Sequence, residues 1–440
     1  MDPLMLGLAG LAVLVVLLLL GVHIGVALGL VGMGGMAYLV GVDAAVSSAA
    51  DTIYHKIASF DLITIPLFIL MGYLASAGGI SANVFKSLNQ WVGRYKSGVG
   101  VSTVMSCTAF GAVTGSSLVT SSVFASICAP EMRKFGYDKK IAYGICASGG
   151  MIGMLIPPSI LMVIYGVLAG ESIGRLLIAG VTPGLLLMIV FSLTIMLLGA
   201  FWPGLIKAQD SDQGYSWREK FLGLLGIWQV WLVALVIFGG IFGGIFNPTE
   251  AAAVASTLLF FILLFSKHKK SWPLFTQAFK DTASTSAMIF LVMGGAGVFS
   301  HFLVLTGITN SVAEVVAEMQ LSTLTLICIL AIIYGVLGCF LDSISMLCIT
   351  IPIFNPIVEA AGIDPIWYAV IVIMAIESGL ITPPVGLNVY GAYAVAEKDV
   401  SLEDIFLGVM PFFLTVWVAI ALLIFFPAMS TWLPELMLGK

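Results

Sequence analysis

Two proline pairs constrain this chain more than any other feature. One stands in Gly153-Met154-Leu155-Ile156-Pro157-Pro158-Ser159, the other in Gly379-Leu380-Ile381-Thr382-Pro383-Pro384-Val385, and each lies inside a long apolar stretch. Proline removes a backbone donor and its ring clashes with the preceding helical turn, so an adjacent pair in mid-stretch fixes a break in any helix formed there. The pairs are 226 positions apart (383 − 157). The same offset matches Pro130 with Pro356, Gly136 with Gly362, Asp138 with Asp364, Gly153 with Gly379 and Glu171 with Glu397. In all, 10 of the 42 positions from 130 to 171 are identical, without a gap. The economical account is a duplicated unit with a broken helix at the same place in each copy. The alternative, prolines that only kink a helix, has to be met twice at one offset.

The solvent for these breaks is lipid. The chain is 60% hydrophobic and 9% charged, against about 25% charged in soluble domains. A soluble core cannot hide that much apolar surface, so an all-α polytopic membrane protein is expected. A net charge of −5, with no basic run beyond Lys267-His268-Lys269-Lys270, excludes a nucleic-acid surface. The six cysteines (107, 128, 146, 328, 339, 348) lie in apolar stretches without a CxxC pair and read as packing residues rather than disulfides or a zinc site. The start, Met-Asp-Pro running straight into apolar sequence, lacks a basic n-region and reads as a retained first span. No HExxH or Walker motif is present and the four histidines (23, 55, 268, 301) are scattered, so an enzyme is not expected. Transport would draw on an ion gradient or a separate ATPase.

Apolar runs at 4–20, 23–41 and about 60–80 read as spans, with a more polar interfacial segment at 42–59. Residues 98–130 are apolar but rich in Gly, Ser and Thr, and basic residues flank both ends (Lys86, Arg94, Lys96; Arg133, Lys134, Lys139, Lys140). Both ends then face the cytoplasm. A segment of this length with both ends on one side makes a re-entrant hairpin of two half-height helices. A broken transmembrane helix at 140–168 and a span at about 176–202 complete a first repeat, 1–205, and the polar stretch 206–223 reads as a cytoplasmic linker.

The second repeat, 224–440, has spans at about 224–246, 249–266 and 281–303, a second hairpin at about 322–357, a broken helix at 365–395 and a last span at 404–427. Its hairpin is flanked by Glu314, Glu318, Glu359 and Asp364, with no Lys or Arg, so it opens on the other face. Opposite orientation of two related halves is an inverted-topology repeat, the build of many secondary transporters. About ten full spans and two hairpins are expected.

A helix broken in a bilayer frees carbonyls that can coordinate Na⁺ and amide groups that favour anions. The hairpin tips carry matching polar groups, since Ser116-Ser117 falls on Asp342-Ser343 at the 226 offset. Hydroxyls, a carboxylate and free carbonyls are hard oxygen ligands suited to Na⁺. An ionisable group at this depth, such as Asp342, points to an ion or substrate, whereas Thr120, Ser121 and Ser122 read as helix-packing residues. Glu377 falls opposite Met151, outside the symmetric pattern, and both an ion site and a gating or structural hydrogen bond stay open for it. Glu250, in Asn247-Pro248-Thr249-Glu250, reads as a helix cap. Asn388 is either a substrate contact or a helix–helix hydrogen bond.

Gly243-Gly244-Ile245-Phe246-Asn247-Pro248-Thr249-Glu250-Ala251-Ala252-Ala253 resembles the GGxFTPTEAAA motif of the large, DctM-like membrane subunit of TRAP (tripartite ATP-independent periplasmic) transporters. Ile65-Pro66-Leu67-Phe68-Ile69-Leu70-Met71-Gly72, Gly111-Ala112-Val113-Thr114-Gly115-Ser116-Ser117 and both Pro-Pro phrases, the second continuing to Asn388, also resemble that family. The resemblance covers nearly the whole chain; Asn247 departs where the family usually has Thr. It implies an elevator mechanism in the bacterial inner membrane, carrying a small organic acid anion with Na⁺ as coupling ion and no other cofactor. It implies two partners, a small four-helix membrane subunit and a periplasmic substrate-binding protein. Because the chain begins at its first span, the small subunit is expected as a separate polypeptide. The implied Na⁺ sites are Gly115, Ser116 and Ser117 with Gly153 and Pro157, and Asp342 and Ser343 with Gly379 and Thr382. Substrate would sit between the tips, against Ser116, Ser345 and Asn388. The rival readings are a stand-alone Na⁺/divalent-anion symporter of related architecture and a non-transporting channel or structural subunit.

Overall fold

A computed structural model describes residues 2–207, 214–265 and 271–438. Every named element is helical. The first half holds α1 (Pro3–Leu19), α2 (Ile24–Val40), α3 (Val42–Ile57), α4 (Thr64–Ala77), α5 (Ile80–Val92), α6 (Gly98–Thr114), α7 (Ser117–Lys134), α8 (Lys139–Gly149), α9 (Ile160–Ala169), α10 (Ile173–Ala179) and α11 (Val181–Phe201). The middle holds α12 (Trp217–Leu225), then α13 (Trp228–Ala234) running through a π turn into α14 (Gly240–Phe242), α15 (Pro248–Phe265) and α16 (Ser271–Thr306). The rest holds α17 (Ile308–Glu318), α18 (Thr323–Gly338), α19 (Ser343–Ala360), α20 (Pro365–Gly379), α21 (Leu387–Tyr393), α22 (Leu402–Phe425) and α23 (Ala428–Leu438). Among the described residues, six helical stretches are long and apolar enough to cross a membrane, or seven if the bent pair Trp217–Leu225 and Trp228–Phe242 counts as one span, and six more apolar helices have 10–17 residues.

The two broken helices lie where burial is deepest. Ile141–Gly149 of α8 and Ile366–Gly379 of α20 are buried without interruption, because helices surround them on all sides. That is why their sequences read as continuous apolar runs instead of a one-sided stripe. Helix α8 packs on α7 and α22, and α20 on α18 and α22. A separate layer is built on α16, which lies against α2, α3 and α4. Glycines let α2 and α16 touch: a Cβ on Gly25 would meet the Leu291 carbonyl oxygen at 2.7 Å, and one on Gly32 the Phe299 Cα at 2.8 Å. Small residues at such crossings are how lipid-embedded helices gain packing energy.

Three elements differ from the sequence expectation. The hairpin arms have 17, 18, 16 and 18 residues, about 24–27 Å each at 1.5 Å per residue, so they are longer than half-height. The expected span 281–303 is only part of the single 36-residue helix α16, which begins at Ser271 and is about 54 Å long. No Gly or Pro follows Pro273 before Gly294 to stop it. The polar linker becomes helical from Trp217, where Ser216 and Glu219 form a reciprocal capping box. Helix α12 then lies on α5, with Ser87 Oγ donating to the Gly223 carbonyl (2.8 Å) and Trp91 edge-on to Phe221. Asp210, Asp212 and the basic turn Lys267-His268-Lys269-Lys270 lie outside the described residues.

Charged groups join the two halves at one end of the bundle. Arg133, at the end of α7, makes a bidentate pair with Asp399 (2.9 and 2.6 Å) and also meets Glu397. Lys139 reaches Asp404 at 2.7 Å. The Arg133 guanidinium holds the exposed Asp399 carboxyl below the usual carboxylate range. At the 226 offset Arg133 corresponds to Glu359 and Glu397 to Glu171, so the equivalent corner brings acids together. There Asp364 and Glu359 add to partial burial in raising the Glu171 carboxyl. This charge asymmetry between related corners gives a test of orientation. Single cysteines replacing the exposed Lys96 and Lys134 should label from the cytoplasm, and one replacing the exposed Glu314 from the periplasm. Labelling of 96 and 134 from opposite sides would remove the first re-entrant hairpin.

Candidate functional site

Each tip is a tight joint between a hairpin and a break. Helix α6 ends on Gly115, whose φ is +59°, and a Cβ there would lie 2.4 Å from the Pro158 carbonyl oxygen. Glycine answers both the left-handed turn and the close approach. Ser116 then caps α7, its Oγ accepting the Val119 N–H at 3.4 Å. In the second half Asp342 caps α19, Oδ2 accepting the Ser345 N–H at 3.1 Å. The two caps are the residues matched at the 226 offset, so the repeat is in register at the tips.

Behind each tip a pair of glycines brings backbone onto backbone. A Cβ on Gly153 would stand 2.9 Å from the Gly111 Cα, and one on Gly379 only 2.3 Å from the Gly338 carbonyl carbon. Both Pro-Pro bonds are cis. The Pro157-Pro158 pair is buried and the Pro383-Pro384 pair is exposed.

Between the tips lies a cavity of about 460 Å³. Ser116, Ser117, Asp342, Ser343, Ser345 and Asn388 line it together with apolar residues of the tips and breaks such as Leu118, Met154, Ile344 and Leu380, and α16 adds Met288, Ile289 and Val292 and the start of α2 adds His23. Six sequence candidates from both halves therefore share one wall, and two 18-residue helices, α7 and α19, begin on it. Helix N-termini attract negative charge. No Lys or Arg lines this cavity among the described residues. Asp342, half-buried, faces it as a carboxylate.

The other candidates do not reach the cavity. Gly115 sits on the Pro158 carbonyl, Gly153 and Gly379 are occupied by the glycine contacts, and Pro157 is buried. Thr382 Oγ1 donates to the Ser378 carbonyl at 2.8 Å. Glu250 is a cap: its Oε2 accepts the Asn247 N–H (2.9 Å) and Asn247 Oδ1 accepts the Glu250 N–H (2.8 Å). Among the expected packing residues, Thr120 bonds Thr114 across the tip (3.0 Å) and Ser121 donates to the Ala147 carbonyl (3.0 Å). Gly170-Glu171-Ser172-Ile173-Gly174 has the spacing of a nucleophile elbow, but it joins two helices. Ser172 Oγ there accepts the Arg175 N–H as a cap.

Sequence symmetry gave no sign of how Glu377 is used. Its side chain is 1% exposed, and Oε1 accepts Ser343 Oγ at 3.3 Å. Ser117 from the other tip and Asn388 also face the carboxylate. The one available signal was a Glu inside an unbroken apolar run.

A family model described as "Tripartite ATP-independent periplasmic transporter, DctM component" matches residues 11–429. The chain belongs to the DctM family. This DctM-family chain is 31% identical to the C4-dicarboxylate TRAP transporter large permease protein of Vibrio cholerae, over 96% of each chain. It is 31% identical to the sialic acid TRAP transporter large permease protein of the same organism, over 90% of this chain and 91% of that one. To the ectoine TRAP transporter large permease protein of Halomonas elongata it is 30% identical, over 97% and 98%. Among solved structures its fold is similar to the YdaH transporter of Alcanivorax borkumensis, with a TM-score of 0.60 at 14% identity and 90% of each chain covered. MtrF of Neisseria gonorrhoeae gives the same TM-score and identity, over 89% of this chain and 85% of that one. The DctM-family chain is thus a multi-pass membrane protein and the large subunit type of a TRAP transporter, a family of transporters rather than enzymes.

Proposed function

We propose that the chain imports a small organic acid anion by Na⁺ symport across the bacterial inner membrane. The anion is delivered by a periplasmic binding protein, and a small membrane subunit completes the permease. The observation that carries this reading is the cavity wall. It gathers hydroxyls, an amide and two helix starts from both halves, without a Lys or Arg and with the Asp342 carboxylate among them. An anion entering beside a carboxylate needs a compensating positive charge at short range. A co-bound hard cation supplies it, and the oxygen ligands present suit Na⁺. The first ion lies at Gly115, Ser116 and Ser117 with Gly153 and Pro157. The second lies at Asp342 and Ser343 with Gly379 and Thr382. The substrate meets Ser116, Ser345 and Asn388.

Similar permeases are named for a C4-dicarboxylate, sialic acid, ectoine and isethionate. Each of those compounds carries a carboxylate or sulfonate, which supports the organic-acid class. The elevator motion is supported by where the lining groups come from: the hydroxyl, amide and carboxylate groups belong to the tips and the second break, whereas α16, in the separate layer, contributes Met288, Ile289 and Val292. Apolar side chains on α16 hold no substrate group in place as the tips slide past.

The test is uptake into proteoliposomes holding the chain and its small subunit, with an inward Na⁺ gradient and candidate acids. Accumulation should require both Na⁺ and the cognate binding protein. Uptake needing Na⁺ alone would assign a stand-alone symporter, and no accumulation of any acid would overturn the proposal.

A further inference from the structure

Glu377 is the single Asp, Glu, Lys or Arg buried among the described residues. It enters no ion pair there. Its Oε2 has no hydrogen-bond partner, and neither end of the Asn388 side chain, 0% exposed, has one. Unpartnered buried polar atoms are costly, and an ionised carboxylate without a counter-charge is the costliest of them. Two of these atoms, Glu377 Oε2 and Asn388 Oδ1, are acceptors on facing side chains that one bound cation would satisfy. Everything else facing the carboxylate is neutral: Ser343 Oγ, Ser117 Oγ and the Asn388 amide.

We infer that Glu377 and Asn388 hold a further Na⁺ ion, between the two tip sites and sharing the Ser117 and Ser343 hydroxyls with them. Glu377 Oε2 and Asn388 Oδ1 are its ligands, and the hydroxyl oxygens of Ser117 and Ser343 extend the hard-oxygen set that Na⁺ prefers over the soft ligands of transition metals. Ser117, Ser343 and Asn388 line the substrate cavity and Glu377 does not, so the ion sits one residue layer behind the wall. An amide that gives its oxygen to the ion turns its NH₂ group the other way, into the cavity, where it donates to the carboxylate or sulfonate of the substrate. Occupancy by Na⁺ thereby orients the substrate's donor. Because Ser117 comes from the first hairpin and Ser343 from the second, the same ion ties the tips together. This inference rests on the Na⁺-coupled reading above.

The experiment is equilibrium binding of radioactive Na⁺ to the purified full chain with its small subunit, at two pH values, alongside thermal melts in K⁺. Glu377→Gln should bind one Na⁺ fewer per chain than the natural protein, or bind it at least tenfold more weakly. Glu377→Asp should recover part of the affinity, and the K⁺ melts should agree. Unchanged Na⁺ number and affinity in Glu377→Gln would overturn the inference. So would a variant that keeps its Na⁺ and loses only a pH dependence, since the occupant would then be a proton. Should Glu377→Gln fail to fold, the near-isosteric Asn388→Leu must show the same loss, and full Na⁺ binding there overturns the assignment. Absence of Na⁺ binding by the natural protein would remove the Na⁺-coupled reading itself, an outcome seen without any variant.

Discussion

Gly379→Ala should cut transport by about 5–150-fold although it adds a single methyl group. The new Cβ would fall 2.3 Å from the Gly338 carbonyl carbon and 2.5 Å from its Cα. Ordinary contact begins about 1 Å further out, and both obstructing atoms are backbone, which cannot rotate away as a side-chain end can. The hairpin must therefore move off the broken helix, or α20 must shift inside a fully packed surround. Overpacking of this kind costs about 1–3 kcal/mol, which is about 5–150-fold in the equilibrium that holds tip and break together. The ion proposed at Asp342, Ser343 and Thr382 needs that joint closed, so uptake should fall by a comparable factor and the melting temperature with it. Gly34→Ala is the control, because a Cβ there meets nothing within 4 Å and its φ is not positive. Normal uptake by Gly379→Ala would mean that the joint is not part of the site.

The second large effect separates two jobs held by Asp342. Its carboxylate caps α19 through the Ser345 N–H and faces the cavity. Asparagine caps a helix about as well as aspartate, while alanine loses about 1 kcal/mol of capping. Asp342→Asn should fold like the natural protein and raise the Na⁺ concentration for half-maximal uptake about tenfold, the effect of losing about 1.4 kcal/mol of ion binding. Asp342→Ala should show the same Na⁺ defect and a lower melting temperature as well. If Asp342→Asn keeps its Na⁺ dependence, Asp342 is a cap and nothing more. Ser117→Ala, the corresponding change at the other tip, should lower Na⁺-coupled uptake without a folding defect. Unchanged uptake and Na⁺ dependence in both Asp342→Ala and Ser117→Ala would remove the tip assignment.

Much of this architecture is local, and so it was legible in the sequence. A 60% apolar chain has to use helices in lipid, and a Pro-Pro pair has to break them wherever it stands. Helix caps follow from residues three apart, which is why Asn247 and Glu250 by their spacing alone mark the cap of α15. The 226-residue offset also located both tips, because Ser116 and Asp342 are capping residues at matched positions.

What the sequence could not contain was set by packing between distant segments. The continuity of α16 past Lys280 and the docking of α12 on α5 depend on neighbours many residues away. So does the meeting of Ser343 with Glu377, 34 positions apart, and of Ser117 with Glu377, 260 positions apart (377 − 117). Symmetry was the strongest guide to the tips and said nothing of Glu377, whose match is Met151. The sequence by itself determined a duplicated membrane fold with two breaks. The tertiary structure decided that the one buried acid among the described residues stands behind the wall shared by both tips, because only the packing of α7, α19, α20 and α21 brings Ser117, Ser343, Glu377 and Asn388 together.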